Sequence, residues 1–150
     1  MISHHQSDLQ PHKRKFISIR VPKTGSTSIT KALHGFFDIR NKGDKKSPYF
    51  FHTGAKILKT HFQDQGWKWD EYYKFAFVRN PWERLVSWYM YTQKRQKGKW
   101  AKYDSFSEVI KSGQNLNMDQ LRWVVDSGEV IVDFIGRTEN LQEDFNTVCD

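Results

Sequence analysis

The sequence predicts an α/β fold with a central parallel sheet flanked by helices. Three observations carry that expectation. An alternating apolar stretch near the start reads as a half-buried strand. A second apolar run stops at Arg79-Asn80-Pro81, which reads as a helix start. The elements then follow in the order strand, helix, strand, helix, helix, strand, helix, as expected of parallel strands joined by crossover helices.

In the first strand Ile17, Ile19 and Val21 alternate with Ser18 and Arg20, and Pro22 ends it. After the loop PKTGSTS, residues Ile29, Ala32, Leu33 and Phe36 recur at helical spacing, with Gly35 weakening the last turn. RNKGDKKSP, residues 40–48, is charged and broken by Gly and Pro, so it reads as a surface loop. Phe75 to Val78 forms the second strand. On the helix that follows, Trp82, Leu85, Val86 and Tyr89 share an apolar face, and Asn80, Arg84 and Ser87 lie opposite, available to a ligand. Ser105 and Glu108 have capping-box spacing ahead of a short helix, and Met118, Leu121 and Val125 suggest another. Val130 to Ile135 reads as the third strand, broken by Gly136, and Asn140 with Glu143 opens a last helix bearing Leu141, Phe145 and Val148.

The chain has 150 residues, enough for one domain, expected at 15–150 behind a flexible leader at 1–14. The leader's His4, His5 and His12 have no spacing that forces convergence on a metal. Twenty-four Lys and Arg against seventeen Asp and Glu leave a net charge of +7, which points to an anionic partner. No apolar run approaches the ~20 residues that span a bilayer. With only Cys149 no intramolecular disulfide can form, and a cytoplasmic location is the expectation.

Ligands of open α/β sheets bind beyond the carboxyl ends of the strands. Two such ends are Val21 with its loop and Val78 with Arg79. Amides at a helix N-terminus lack intrahelical partners, and anions fit there. Gly25 allows close backbone approach, Thr24, Ser26, Thr27 and Ser28 offer hydroxyls, and Lys23 adds a full charge. The expected guest is a phosphate, although the same residues also make an ordinary helix cap. The order differs from GxxxxGK[ST], because Lys23 precedes the glycine. The second strand end decides between these readings, since Arg79 can fork two oxygens of a second phosphate while Ser87 takes a third.

VPKTGSTS followed by RNPWERLVSWY resembles the two nucleotide-binding motifs of sulfotransferases that use 3′-phosphoadenosine 5′-phosphosulfate (PAPS). DFIGRTENLQEDF is similar to the later strand-and-helix segment of the carbohydrate-type branch (sulfotransferase family 2), particularly its small bacterial members. The resemblance runs from Phe16 to the last residue. It implies a P-loop-like three-layer fold, with Lys23 through Ser28 on the 5′-phosphosulfate and Arg79 and Ser87 on the 3′-phosphate. It further implies a nucleotide donor and a hydroxyl acceptor, a carbohydrate in that branch. Lys23 would neutralise charge on the phosphate oxygen as the S–O bond breaks. His52, which matches a histidine of related sequences, would be the base, with His61 and Glu83 as rivals. No metal is expected, because a sulfuryl group carries less negative charge than a phosphoryl group and protein cations can suffice.

Two departures stand out. Position 138 is Thr where relatives have an aromatic, and family domains continue past the helix that here ends at Asp150, so the domain is expected to be shortened at its C-terminus. So short a domain can need a partner chain, which makes a homodimer the expected assembly. Two other functions compete. A magnesium-dependent nucleoside-triphosphate phosphotransferase would use Asp133 at the end of Val130-Ile131-Val132, and a basic module would bind nucleic acid or polysaccharide without catalysis. The cations are scattered and match no nucleic-acid motif, so no nucleic-acid partner is expected.

Overall fold

A computed structural model of the protein describes residues 14–37, 47–114, 116 and 118–150. The leader up to residue 13 and most of the 40–48 loop lie outside the described residues.

Strand β1 (Phe16–Ile19) enters the loop and then helix α1 (Ser26–Ala32). Helix α2 (Ala55–Asp64) precedes β2 (Tyr73–Val78), which runs into α3 (Pro81–Arg95) and then α4 (Phe106–Lys111). A small antiparallel hairpin of β3 (Val125–Asp126) and β4 (Glu129–Val130) comes before β5 (Phe134–Arg137) and α5 (Leu141–Cys149). The main sheet has the order β1-β2-β5, and both pairings are parallel.

β2 is central and buried on both faces, so its sequence is a nearly continuous apolar run rather than an alternation. Ala76 faces the side where Ile17, Ile19, Leu58, Phe62, Trp69 and Trp123 cluster, beneath α2. Phe75 and Phe77 face the other side, where Ile29 of α1 and Leu141, Phe145 and Val148 of α5 cover them. A third cluster, around Leu85, Trp100 and Val109, joins α3 to α4. Trp69 belongs to the core, and the indole of Trp100 is buried as well.

Several expectations need correction. Val130–Ile135 is not one strand: β4 belongs to the hairpin, and β5 begins only at Phe134. Gly136 does not break β5. It lies within it opposite Phe77, and a Cβ there would stand 2.5 Å from Cε1 of that ring, so only glycine lets the two strands pack. Met118, Leu121 and Val125 do not share a helix, because only a 3₁₀ turn forms at Leu121–Trp123. α2 had no counterpart in the expected order, although Ala55, Leu58 and Phe62 carry its buried stripe.

The face expected on α3 also differs. Leu85 is buried, but so is Arg84, while Trp82 and Val86 are exposed. Arg84 lies beneath the loop, donating from Nη1 to the Pro22 carbonyl at 3.4 Å, with its guanidinium carbon about 6 Å from the rings of Trp88 and Trp123. Aromatic faces and a carbonyl thus replace the water an arginine would otherwise need.

Candidate active site

The carboxyl ends of β1 and β2 open on one cleft of about 460 Å³. It is lined by Arg20, Lys23, Gly25, Ser26 and Thr27 from the first strand end and by Arg79, Ser87, Trp88 and Tyr91 from the second, with His52 beside them. The two motifs that lie over fifty residues apart in sequence therefore face a shared cavity.

The loop is built by backbone conformation. Lys23 and Gly25 both adopt left-handed dihedrals, with φ of 67° and 77°. Glycine does this freely, and lysine only at a cost. Gly25 is the N-cap of α1, and its carbonyl accepts from Ser28 N at 2.9 Å and from Ile29 N at 3.2 Å. Ser26 and Thr27 then occupy the first turn on the cleft side. Thr24 and Ser28 are placed elsewhere. The Thr24 hydroxyl is buried and donates to the Val21 carbonyl at 2.9 Å, which braces the loop from behind, and Ser28 is exposed without lining the cleft.

Lys23 Nζ lies 4.2 Å over the Tyr91 ring. Burial, then the charges of Arg79 and Arg95, push its ammonium below the usual lysine range. Burial likewise lowers the Arg20 guanidinium. Positive groups thus crowd one another across the cleft. Glu83 accepts from Nε and Nη2 of Arg79 at 3.3 Å, four residues along the chain.

The second strand end is fixed with unusual care. Asn80 caps α3, its Oδ1 accepting from Trp82 N and Glu83 N. Gln120 brackets the backbone of Arg79, accepting from its N–H at 3.0 Å and donating to its carbonyl at 2.7 Å, as a neighbouring strand would. Glu139 accepts from Asn80 N at 2.6 Å, and that bond holds its carboxyl below the usual range. Thr138 Oγ1 lies 3.0 Å from the Val78 carbonyl and 3.1 Å from the Thr24 carbonyl.

His52 Nδ1 is 2.8 Å from the Arg20 carbonyl. A carbonyl only accepts, so Nδ1 carries the proton and Nε2 keeps a lone pair in the neutral ring. Burial, with help from Arg20 and Lys23, pushes the imidazole below its ordinary value against the opposing pull of that hydrogen bond. His52 also lines a second cavity, of about 320 Å³, with Gly54, Lys56, Ile57, Arg122, Trp123 and Val125. His61 is elsewhere. It sits on α2, its Nε2 2.9 Å from the Tyr49 hydroxyl and its ring edge-on to Trp67, and does not line the cleft.

Sequence reasoning missed Arg20, Trp88 and Tyr91. Tyr91 falls four residues after Ser87, so helical spacing already put it on the cleft side. Asp133, the residue a magnesium site would use, lies at the opposite end of the sheet, pairing with Lys74 Nζ at 3.0 Å and accepting from Lys74 N at 2.7 Å.

Among the described residues no helix is long and apolar enough to cross a membrane. No solved structure matches the chain. An uncharacterized protein of Archaeoglobus fulgidus is 42% identical over 82 residues, which cover 53% of this chain and 66% of that relative, just under two thirds of its length. The model of the Sulfotransferase family matches residues 7–150, a span that contains both strand-end motifs and every residue lining the cleft. The fold, the paired strand ends and that match together place this chain in the sulfotransferase family.

Proposed function

We propose that the protein transfers a sulfuryl group from PAPS to a hydroxyl of a carbohydrate acceptor. One observation carries this reading: the hydroxyl-rich loop and Arg79 with Ser87 open on a single cation-lined cleft with room for a nucleotide. Amides and hydroxyls of Gly25, Ser26 and Thr27, with Lys23, hold the 5′-phosphosulfate. Arg79 and Ser87 hold the 3′-phosphate.

The acceptor oxygen attacks sulfur in line, and its proton passes to Nε2 of His52. The bond from sulfur to the 5′-phosphate oxygen breaks, and Lys23 neutralises the charge left on that oxygen. Two features support His52 as the base: its Nδ1 is tied to Arg20, and it stands where the two cavities meet. In the second cavity Arg122, together with Lys56 where it pairs with Asp126, suits a sugar bearing acidic groups.

Calorimetric titration with adenosine 3′,5′-bisphosphate, the product nucleotide, tests the donor site. Wild type binds, and Lys23→Ala and Arg79→Ala each bind at least ~10-fold more weakly. Absence of binding by folded wild type overturns the reading. Transfer of labelled sulfate to a panel of glycans, small alcohols and tyrosine peptides then identifies the acceptor class.

A further inference from the structure

We propose that Thr138 is a positioning residue, a strut that sets the distance between the two phosphate sites. The inference rests on the donor reading above and extends it to a residue that touches neither phosphate.

The two sites sit on separate loops, one after β1 and one after β2. The strands are paired only as far as Ile19 with Ala76, so no ladder between them ties the loops beyond that point. Thr138, just past the end of β5, reaches both. Its hydroxyl stands within hydrogen-bond range of the Val78 carbonyl, which precedes Arg79, and of the Thr24 carbonyl, which precedes Gly25. A hydroxyl has one proton, so it is shared between the two carbonyls rather than spent on either. The methyl group of the same side chain comes within 3.9 Å of where a Cβ on Gly25 would be, and so packs under the turn of the phosphate loop.

The neighbours of Thr138 work on the same stretch of backbone. Glu139 holds Asn80 N, and Gln120 holds both polar groups of Arg79. Three successive residues of the second strand end are therefore tied by side chains, and Thr138 is the tie that also reaches the first loop. A rigid ligand with two phosphates gains from its second contact only if the sites are spaced to match it. The strut acts on that match and leaves each site individually intact.

The test uses three nucleotides and three variants. Thr138→Val keeps the shape and removes the hydroxyl, Thr138→Ser keeps the hydroxyl, and Thr138→Ala replaces the valine variant should that one fail to fold by circular dichroism. Each is titrated with adenosine 3′,5′-bisphosphate, adenosine 5′-monophosphate and adenosine 3′-monophosphate. Thr138→Val should lose about tenfold in affinity for the bisphosphate and less than about twofold for either monophosphate, and Thr138→Ser should bind all three like wild type. Undiminished bisphosphate binding by Thr138→Val overturns the strut. Equal losses for all three nucleotides also overturn it, because they mean general damage to the loop. If wild type itself binds no bisphosphate, the donor reading fails and takes the strut with it, a result distinct from the other two.

Discussion

Lys23 combines the catalytic role proposed above with a backbone conformation that lysine does not favour, so two substitutions at this position separate the two. Both Lys23→Ala and Lys23→Gly remove the ammonium and its contact with Tyr91, and differ from each other only in the Cβ. At φ of 67° a residue with a Cβ is disfavoured by about 1–2 kcal/mol. Glycine's greater freedom in the unfolded chain offsets about 0.5–1 kcal/mol of that relief. The glycine variant should therefore be more stable than the alanine variant by roughly 0.5–1 kcal/mol. In a domain of this size that difference is about 1–4 °C in melting temperature.

Turnover should move together in the two variants. In the proposed mechanism each loses the cation facing the leaving phosphate oxygen, and loss of one such group lowers the rate by about 100-fold or more. The assays are thermal denaturation followed by circular dichroism and transfer of labelled sulfate from PAPS. Near-wild-type turnover in Lys23→Ala would falsify the charge-neutralising role. A glycine variant that melts at or below the alanine variant would show that the loop does not hold the left-handed turn on which the cleft depends.

Three further predictions follow from the site and its surroundings. His52 must be neutral to accept a proton and its imidazole is pushed below its ordinary value, so kcat/KM should persist into mildly acid solution and fall along a limb centred below the usual ~6.5, while His52→Ala should abolish that limb and lower the rate about 100-fold. Asp133→Asn should leave sulfate transfer unchanged and lower stability by about 1–2 kcal/mol, because Lys74 loses its ion pair far from the cleft; a collapse of activity would revive the phosphotransferase alternative. Glu83→Gln should tighten bisphosphate binding about twofold at low salt, since an exposed pair one helical turn apart competes for Arg79 with only about 0.3–0.5 kcal/mol, and a weakened affinity would mean that Glu83 orients the guanidinium rather than competing for it.

Local chemistry made some of this legible in advance. Asn80-Pro81 and Ser105 with Glu108 start helices where their side-chain hydrogen bonds say they should. The two strand ends and their loops were readable because each motif is contiguous. What escaped depends on contacts between distant segments. Arg84 read as part of a polar face available to a ligand, because nothing local announces that Trp88 and Trp123 will flank it. Gly136 looked like a breaker because its requirement comes from the Phe77 ring on the next strand. Thr24 counts among the hydroxyls of the loop, yet its own turn directs the oxygen back to the Val21 carbonyl. Tyr91 is the exception, since helical spacing alone would have found it.

The charges of the cleft as a whole work against the stability of the fold. Lys23 is held in a left-handed turn, Arg20 and Lys23 are partly desolvated, and Lys23 faces Arg79 and Arg95 rather than a carboxylate. Glu139, beside Arg79, is committed to the Asn80 amide, and Asp133 is paired with Lys74 at the far end of the sheet. A fold keeps such an arrangement only where the rest of the structure over-determines it, as the ties from Gln120, Thr138 and Glu139 do here. Under the proposed function the donor supplies the counter-charge. An anion with two separated phosphates would neutralise both strand ends at once, so on that proposal binding the donor also completes the electrostatics of the fold, and the stability gained should rise with donor occupancy.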